Sequence, residues 1–468
     1  MPVVDSSQQH RTSRIPVVAA STAFFLSCMD VLIVNLALPT IGEQLGGGMS
    51  GQQWVVDGYT LPFAALLLGA GNLSDRLGAK RVFAAGSALF LISSLICTFA
   101  FTMPMLIAGR AAMGVGAAAL LPSSMSVIRE NYPDPVEQGQ AMGYWAFGGT
   151  IAAVMGPILG GLLTPIHWSL VFAINIPACV LILVLIPKMQ PSERRSAPFD
   201  FAGQILAILG LGTLVAGLIE GGDQGFGSAL VIVLLVIGVV TLVMFAVAEC
   251  RARHPMMPPS TLRSYDMRVS MLIGLVFMIA WYGMVFLTTS LLQNELGLSP
   301  FVAGLAFIPS AFAGMIGNLR SPGIAAAHGT RVPVLGGLIA MTAGLVTMAL
   351  LGSHLNAWSA AILVAIVGCG CSFVTPPTSS LVLRSVAPEQ SGIAGAMFNT
   401  MRQVGSTLGI AVFGTLVASM SSFTSAMRIC FLATAALLLI TLGLSIRLEH
   451  NLSGAVTNRR IPEHIPVD

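Results

Sequence analysis

Fourteen stretches of roughly 20 apolar residues, nearly free of charge, recur along this chain, and they leave few folds open. They fall at 15–38, 54–72, 82–101, 105–125, 141–163 and 168–186, then at 201–219 and 230–248, and finally at 269–292, 302–319, 332–351, 358–383, 393–420 and 427–446. One crossing of a bilayer's hydrocarbon layer takes about 20 such residues. The composition agrees: 55% of the residues are hydrophobic and 9% charged, with a mean hydropathy of +0.86. A soluble domain carries about 25% charged residues, so this chain cannot clothe a water-facing surface of its size. Disorder is excluded as well, because it needs low hydrophobicity and high charge. The expected fold is an all-α polytopic membrane protein with 14 transmembrane helices.

The windows group as six, two and six. This predicts a cytoplasmic tail over 1–14, a six-helix bundle over 15–187, charged linkers with two inserted helices over 188–268, a second bundle over 269–446 and a second cytoplasmic tail over 447–468. The net charge of +3 says little, but its placement says more. With the N-terminus inside, inside segments hold Arg11, Arg14, Arg76, Lys80, Arg81, Arg129, Lys188, Arg194, Arg195, Arg251, Arg253, Arg263, Arg268, Arg320, Arg331, Arg384, Arg447, Arg459 and Arg460 of the 22 Lys and Arg. Outside loops hold only Arg428, and Arg110 and Arg402 lie within helices. Such asymmetry orients both tails to the cytoplasm. A faint repeat supports two related halves: Gly71-Asn72-Leu73 is matched by Gly317-Asn318-Leu319, and Gly78-Ala79-Lys80-Arg81 by Gly329-Thr330-Arg331. Repeated halves are typical of secondary transporters.

Few residues interrupt the apolar runs. Asp30 lies nine residues before Pro39 in the first helix, on the order of 14 Å below its outer end at 1.5 Å per residue. An acid at that depth is either satisfied by hydroxyls or serves as a protonation site. Arg110, near the outer end of the fourth helix, is its candidate partner; the bland alternative is an arginine bonded to backbone carbonyls. Asp57 is placed in the first turn of the second helix, at the outer mouth of the path, either adding charge there or favoured by the helix dipole. Glu220, Asp223 and Glu295 read as interfacial. Asn399, Arg402, Gln403 and Ser406 recur at helical spacing and form a polar stripe that either glues helices or lines a cavity. Trp281, Tyr282 and Phe286 either line an adaptable apolar pocket or face lipid. Gly71, Asp75, Arg76, Gly78, Lys80 and Arg81 belong to a short glycine-bounded cytoplasmic turn, either a basic anchor or a conformational latch. Gly156-Pro157 interrupts a helix ladder, and Gly160 and Gly161 beside it allow close helix contact. The seven cysteines read as small packing residues, and no metal site is expected.

The turn resembles G-x-L-x-D-R-x-G-x-K-R, the loop signature of the major facilitator superfamily. Leu106 to Ala119, with Arg110, Gly114 and Gly116, resembles its fourth-helix motif. Gly149 to Gly161 is similar to the fifth-helix motif of proton-driven exporters. Met29-Asp30, Asn35, Ala37 and Pro39, continued by Trp54 and Tyr59, are similar to the fourteen-helix drug:proton antiporters, as are Phe172 to Pro177 and Met401 to Gly405. Leu32, Ser169-Leu170 and Ser321-Pro322 depart from that pattern. The resemblance implies the major facilitator fold, with two six-helix halves and two inserted helices. It implies proton-coupled export of lipophilic, cationic drugs or toxic compounds, with export of one metabolite or self-made antibiotic as the alternative. It implies that Arg110 takes part in proton coupling and that the glycines of the fifth helix help seal the halves. Beside it, the candidate proton-coupling pair is Asp30 and Arg110, and the candidate cavity-lining residues are Asn35, Trp281, Tyr282, Asn399, Arg402 and Gln403. The expected setting is a bacterial cytoplasmic membrane. The expected partners are lipid, protons and a small molecule, with no nucleic acid and no cofactor, in a chain that works as a monomer. An ATP-driven pump is disfavoured, because no G-x-x-x-x-G-K-[ST] occurs and Lys80 and Lys188 are the only lysines. Neither pore loops nor charge rings suggest a channel, and no cluster of catalytic groups suggests an enzyme.

Overall fold

A computed structural model describes residues 14–192, 200–252, 255–386 and 390–448. The tail residues 1–13 and 449–468, and with them Arg11, Arg459 and Arg460, lie outside the described residues, as do Glu193, Arg194, Arg195 and Arg253. Fourteen helices are long and apolar enough to span a membrane. They are α1 Ile15–Leu45, α2 Gly48–Leu77, α3 Ala79–Thr98, α4 Met103–Asn131, α5 Pro135–Leu163, α6 Leu170–Lys188, α7 Phe201–Gln224, α8 Ala229–Arg251, α9 Tyr265–Glu295, α10 Pro300–His328, α11 Arg331–His354, α12 Ala357–Arg384, α13 Ser391–Ser419 and α14 Phe423–Ser445. The end at which α1 begins is called the basic end here, because loops and helix termini there carry nearly all the lysine and arginine.

Several helix limits run past the hydropathy windows, and three of them bear on the site. α1 continues through Pro39 to Leu45 and stops only at Gly46–Gly48, all with positive φ. α2 therefore starts at Gly48, six residues before Trp54, and carries Gln52 and Gln53 inside the bundle. α10 runs past Leu319 to His328, so Arg320 lies within a helix rather than a loop. Hydropathy ends where polar residues begin, but helices tolerate polar residues wherever neighbours or water satisfy them. The same correction applies to the expected turn at 71–81: Gly71, Asp75 and Arg76 are helical, and the backbone breaks only at Gly78, at φ 92°. Gly329, at φ 86°, ends α10 in the same way. Each glycine N–H closes on the carbonyl four residues back, Ser74 and Ala325 respectively, so the repeat seen in sequence marks equivalent helix ends.

Within each half the backbones approach closely through glycine. A Cβ on Gly114 of α4 would stand 2.3 Å from the Tyr59 carbonyl oxygen of α2, and one on Gly405 of α13 would stand 2.3 Å from the Leu275 oxygen of α9. Small residues permit the dispersion contact that holds helices together where no hydrophobic force acts. The inserted pair packs beside the α2–α13 seam. α7 is tied to both: Gln204 donates to the Ala65 carbonyl (2.7 Å), and Thr415 donates to the Leu218 carbonyl (2.7 Å). α8 packs on α7 and leaves Val233, Val236, Val240 and Val243 exposed, as a lipid-facing helix does.

Candidate functional site

Four helices of the first half meet at Asp30. Asp30 occupies the middle of the 31-residue α1, roughly 22 Å from either end and deeper than a helix stopping at Pro39 implies. It and Arg110 are fully buried. An Arg110 terminal nitrogen donates to one Asp30 oxygen, forming an ion pair. The other Asp30 oxygen accepts from Asn175 Nδ2 of α6 at 3.3 Å. Arg110 Nε donates to the Val55 carbonyl of α2 at 2.8 Å. The guanidinium carbon lies 4.5 Å from the centroid of the Tyr59 ring and 5.6 Å from that of Phe172. Tyr59 is held in turn by its hydroxyl, which donates to the Ser27 carbonyl at 3.1 Å. The local sequence explains the assembly: Gly58 and Gly114 let α2 lie against α4, so a backbone carbonyl reaches the arginine. α6 is irregular at Ile174, which sets Asn175 at the start of its longer segment.

The pairing of Asp30 with Arg110 was legible in sequence; Asn175, Val55, Tyr59 and Phe172 as its surroundings were not. Asn175 had a usable signal, an amide within an apolar run, where each polar group needs a partner.

Asp57 sits elsewhere. It lies in the third turn of α2, fully buried, and accepts from Thr60 Oγ1 at 3.0 Å. Thr407 of α13 donates to Thr60 at 3.0 Å. The expected first-turn acid at an open mouth is thus a buried acid at the contact between halves, because α2 begins six residues earlier than its hydropathy. Asn35 is likewise fully buried and bonds back to the Val31 carbonyl at 2.6 Å, so it lines no open space. Ser406 is buried and donates to the Gln403 carbonyl. Trp281, Tyr282, Asn399, Arg402 and Gln403 are half-buried.

The contacts described between halves gather toward the end away from the basic one. Gln53 donates to the Ala411 carbonyl at 2.8 Å. Gln293, in the π-turn closing α9, donates to the Leu36 carbonyl at 3.1 Å. A Cβ on Gly304 of α10 would stand 2.5 Å from the Pro157 oxygen, and one on Gly161 of α5 3.0 Å from the Phe301 Cα. Gly149, Gly156 and Gly160 seat α5 on Phe24, Leu32 and Ile33 of α1 instead. Two roles expected of one motif are divided: Gly149, Gly156 and Gly160 join helices of one half, while Pro157 and Gly161 meet the other half. At the basic end a cavity of about 1130 Å³ opens between α1 and α5, lined by Phe25, Tyr132, Tyr144 and Phe147 among others. Asp75, Arg76 and Arg81 are exposed there. Asp75 makes no hydrogen bond or ion pair with any described residue, and Lys80 reaches the Met189 carbonyl at 2.6 Å within its own half.

Comparison with known proteins decides the family. The family model described as Major Facilitator Superfamily matches residues 20–410. The chain belongs to this superfamily. Among curated relatives of this major facilitator protein, "Multidrug resistance protein Stp" of Mycobacterium tuberculosis is 33% identical, over 89% of this chain and 78% of its own length. "Methylenomycin A resistance protein" of Streptomyces coelicolor is 30% identical, over 90% and 89% respectively. A crystal structure of a POT family transporter in complex with 5-aminolevulinic acid superimposes with a TM-score of 0.69 over 92% of this chain and 95% of that one, at 13% identity, which shows a shared fold. The chain is a multi-pass membrane transporter of small molecules, with two six-helix halves and two further helices.

Proposed function

We propose that this major facilitator protein exports lipophilic drugs or toxic compounds from the bacterial cytoplasm in exchange for protons. Its relatives are named for multidrug and antibiotic resistance. The observation that carries the proton coupling is Asp30: a carboxyl fully buried midway along α1 and paired with one arginine. One proton neutralises it, removes the attraction to Arg110 and leaves that guanidinium with the Val55 carbonyl and two aromatic faces. Two discrete arrangements of the pair, one per protonation state, are what a proton needs in order to bias a conformational equilibrium.

The excess of lysine and arginine makes the basic end cytoplasmic, with both tails inside. The cavity between α1 and α5 then faces the cytoplasm while the outer end is sealed, an inward-facing arrangement. The protein works as a monomer and draws on the proton gradient without a cofactor. The test is uptake by everted vesicles of a panel of cationic, neutral and acidic lipophilic dyes, with and without an imposed pH gradient. Gradient-dependent uptake of at least one dye is expected, and uptake indifferent to the gradient for every dye defeats the proposal. Reporter fusions near Asp223 and His354 should both report the outside.

A further inference from the structure

The second half holds an arginine at membrane depth that the coupling pair does not use. Arg402 lies on α13, about 17 Å from the helix start at Ser391 by the 1.5 Å rise. One terminal nitrogen donates to Asn399 Oδ1 at 3.2 Å. The guanidinium carbon lies 5.8 Å from the ring centroid of Phe277 and 6.0 Å from that of Phe398. Its Nε is buried without a partner, and it makes no ion pair with any described carboxylate. Arg402 itself is half-buried.

A charge at this depth is costly unless it is matched or used. Aromatic faces offset part of the cost, but of the donors only one terminal nitrogen is met, by Asn399, and Nε is left without an acceptor. A guanidinium offers parallel N–H groups whose spacing fits a carboxylate, and in a low-dielectric site such a pair is strong and directional. The geometry points to Arg402 as the recognition site for a carboxylate on the transported molecule, whose apolar body rests against the neighbouring aromatic side chains. The cargo is then a lipophilic organic acid or a zwitterion, a class of opposite sign to the cations that the family resemblance suggests. This inference deepens the export reading and rests on it for the word cargo.

The test measures binding rather than transport, so the two readings fail separately. 1-Naphthoate and its uncharged amide, 1-naphthamide, are titrated calorimetrically into the full chain in lipid nanodiscs. The acid should bind at least tenfold more tightly than the amide. Arg402→Gln should remove that preference while changing amide affinity less than twofold, and Arg402→Lys, which keeps the charge, should retain part of it. No preference for the acid, a preference that survives in Arg402→Gln, or an equal loss of both compounds overturns the proposal. So does displacement of the acid by equimolar inorganic phosphate, which marks a non-selective anion site. Acid binding through Arg402 in a chain that exports nothing from vesicles would instead overturn the export reading and leave the site standing.

Discussion

The two arginines at membrane depth, one in each half, have unlike surroundings. Arg110 is fully buried and has a carboxylate, a carbonyl and two ring faces. Arg402 is half-buried and has an amide and two ring faces, but no carboxylate among the described residues. Tightness of packing is not the difference, because a Cβ on Gly114 beside the first or on Gly405 beside the second would stand the same 2.3 Å from a facing carbonyl oxygen. The difference is electrical. The first half pairs its charge internally. The second half leaves its charge open to what arrives between the halves.

The largest effect is expected where the closed pair loses its titratable member. Asp30→Asn keeps shape and most hydrogen bonding but cannot change charge, so gradient-driven efflux from vesicles should fall to background. Asp30→Glu should retain part of it. Uphill export by Asp30→Asn at the parent rate would move the coupling elsewhere, with Asp57 the next site to test.

Stability should separate the arginines next. Arg110→Ala strands a buried carboxylate and should cost about 3–5 kcal/mol. Arg402→Ala should stay within about 1 kcal/mol of the parent, because the lost hydrogen bond and ring contacts are offset by removal of an unmatched charge from the membrane. Equal losses in thermal unfolding, at matched detergent and protein levels, would erase the contrast. Gly114→Val and Gly405→Val, by comparison, should destabilise alike, by about 1–3 kcal/mol or more, since each drives a side chain into backbone. A much larger loss at Gly114 would mean that packing, not charge, sets the first half apart.

The architecture was open to reading because crossing a bilayer imposes a length and an apolar composition on each helix, and both leave a direct trace. Asp30 and Arg110 stood out for the same reason, as charges where charge is costly. What the apolar runs concealed was helix length. Gly48 to Gln53, mostly polar or small, fall outside a hydropathy window, yet they are helical, and Gln53 contacts α13. That shift of six residues moved Asp57 from an open mouth to a buried contact. Asn35 was misplaced for another reason: its depth is legible, but which way it faces around α1 depends on helix neighbours that no local pattern specifies. The surroundings of Arg110 were hidden similarly, because Val55 contributes a backbone carbonyl and any residue there would look the same. The contrast between paired and unpaired arginine is a property of tertiary contacts alone.

The smallest effect concerns the basic end, where the latch reading and the anchor reading of Asp75 diverge. Asp75 is exposed and bonded to no described residue in this arrangement. Its replacement by Asn therefore removes nothing from the state in which the outer end is closed. If Asp75 is a latch, it acts in the opposite state, where the basic ends of the halves close and a carboxylate can meet helix N–H groups or bases. Losing a charged hydrogen bond there should favour the present arrangement by about 1–2 kcal/mol, a factor of about 5–30 in the ratio of the two states. Alkylation of a single cysteine placed at the cavity mouth, for example at Tyr144, reads that ratio directly, and Asp75→Asn should speed it while thermal stability is unchanged. An unchanged rate, with normal turnover, would make the loop a basic anchor only. Because the effect is confined to the equilibrium between states, it should appear equally in an Asp30→Asn background, where coupling is already lost, and that independence separates a mechanical latch from a second proton site.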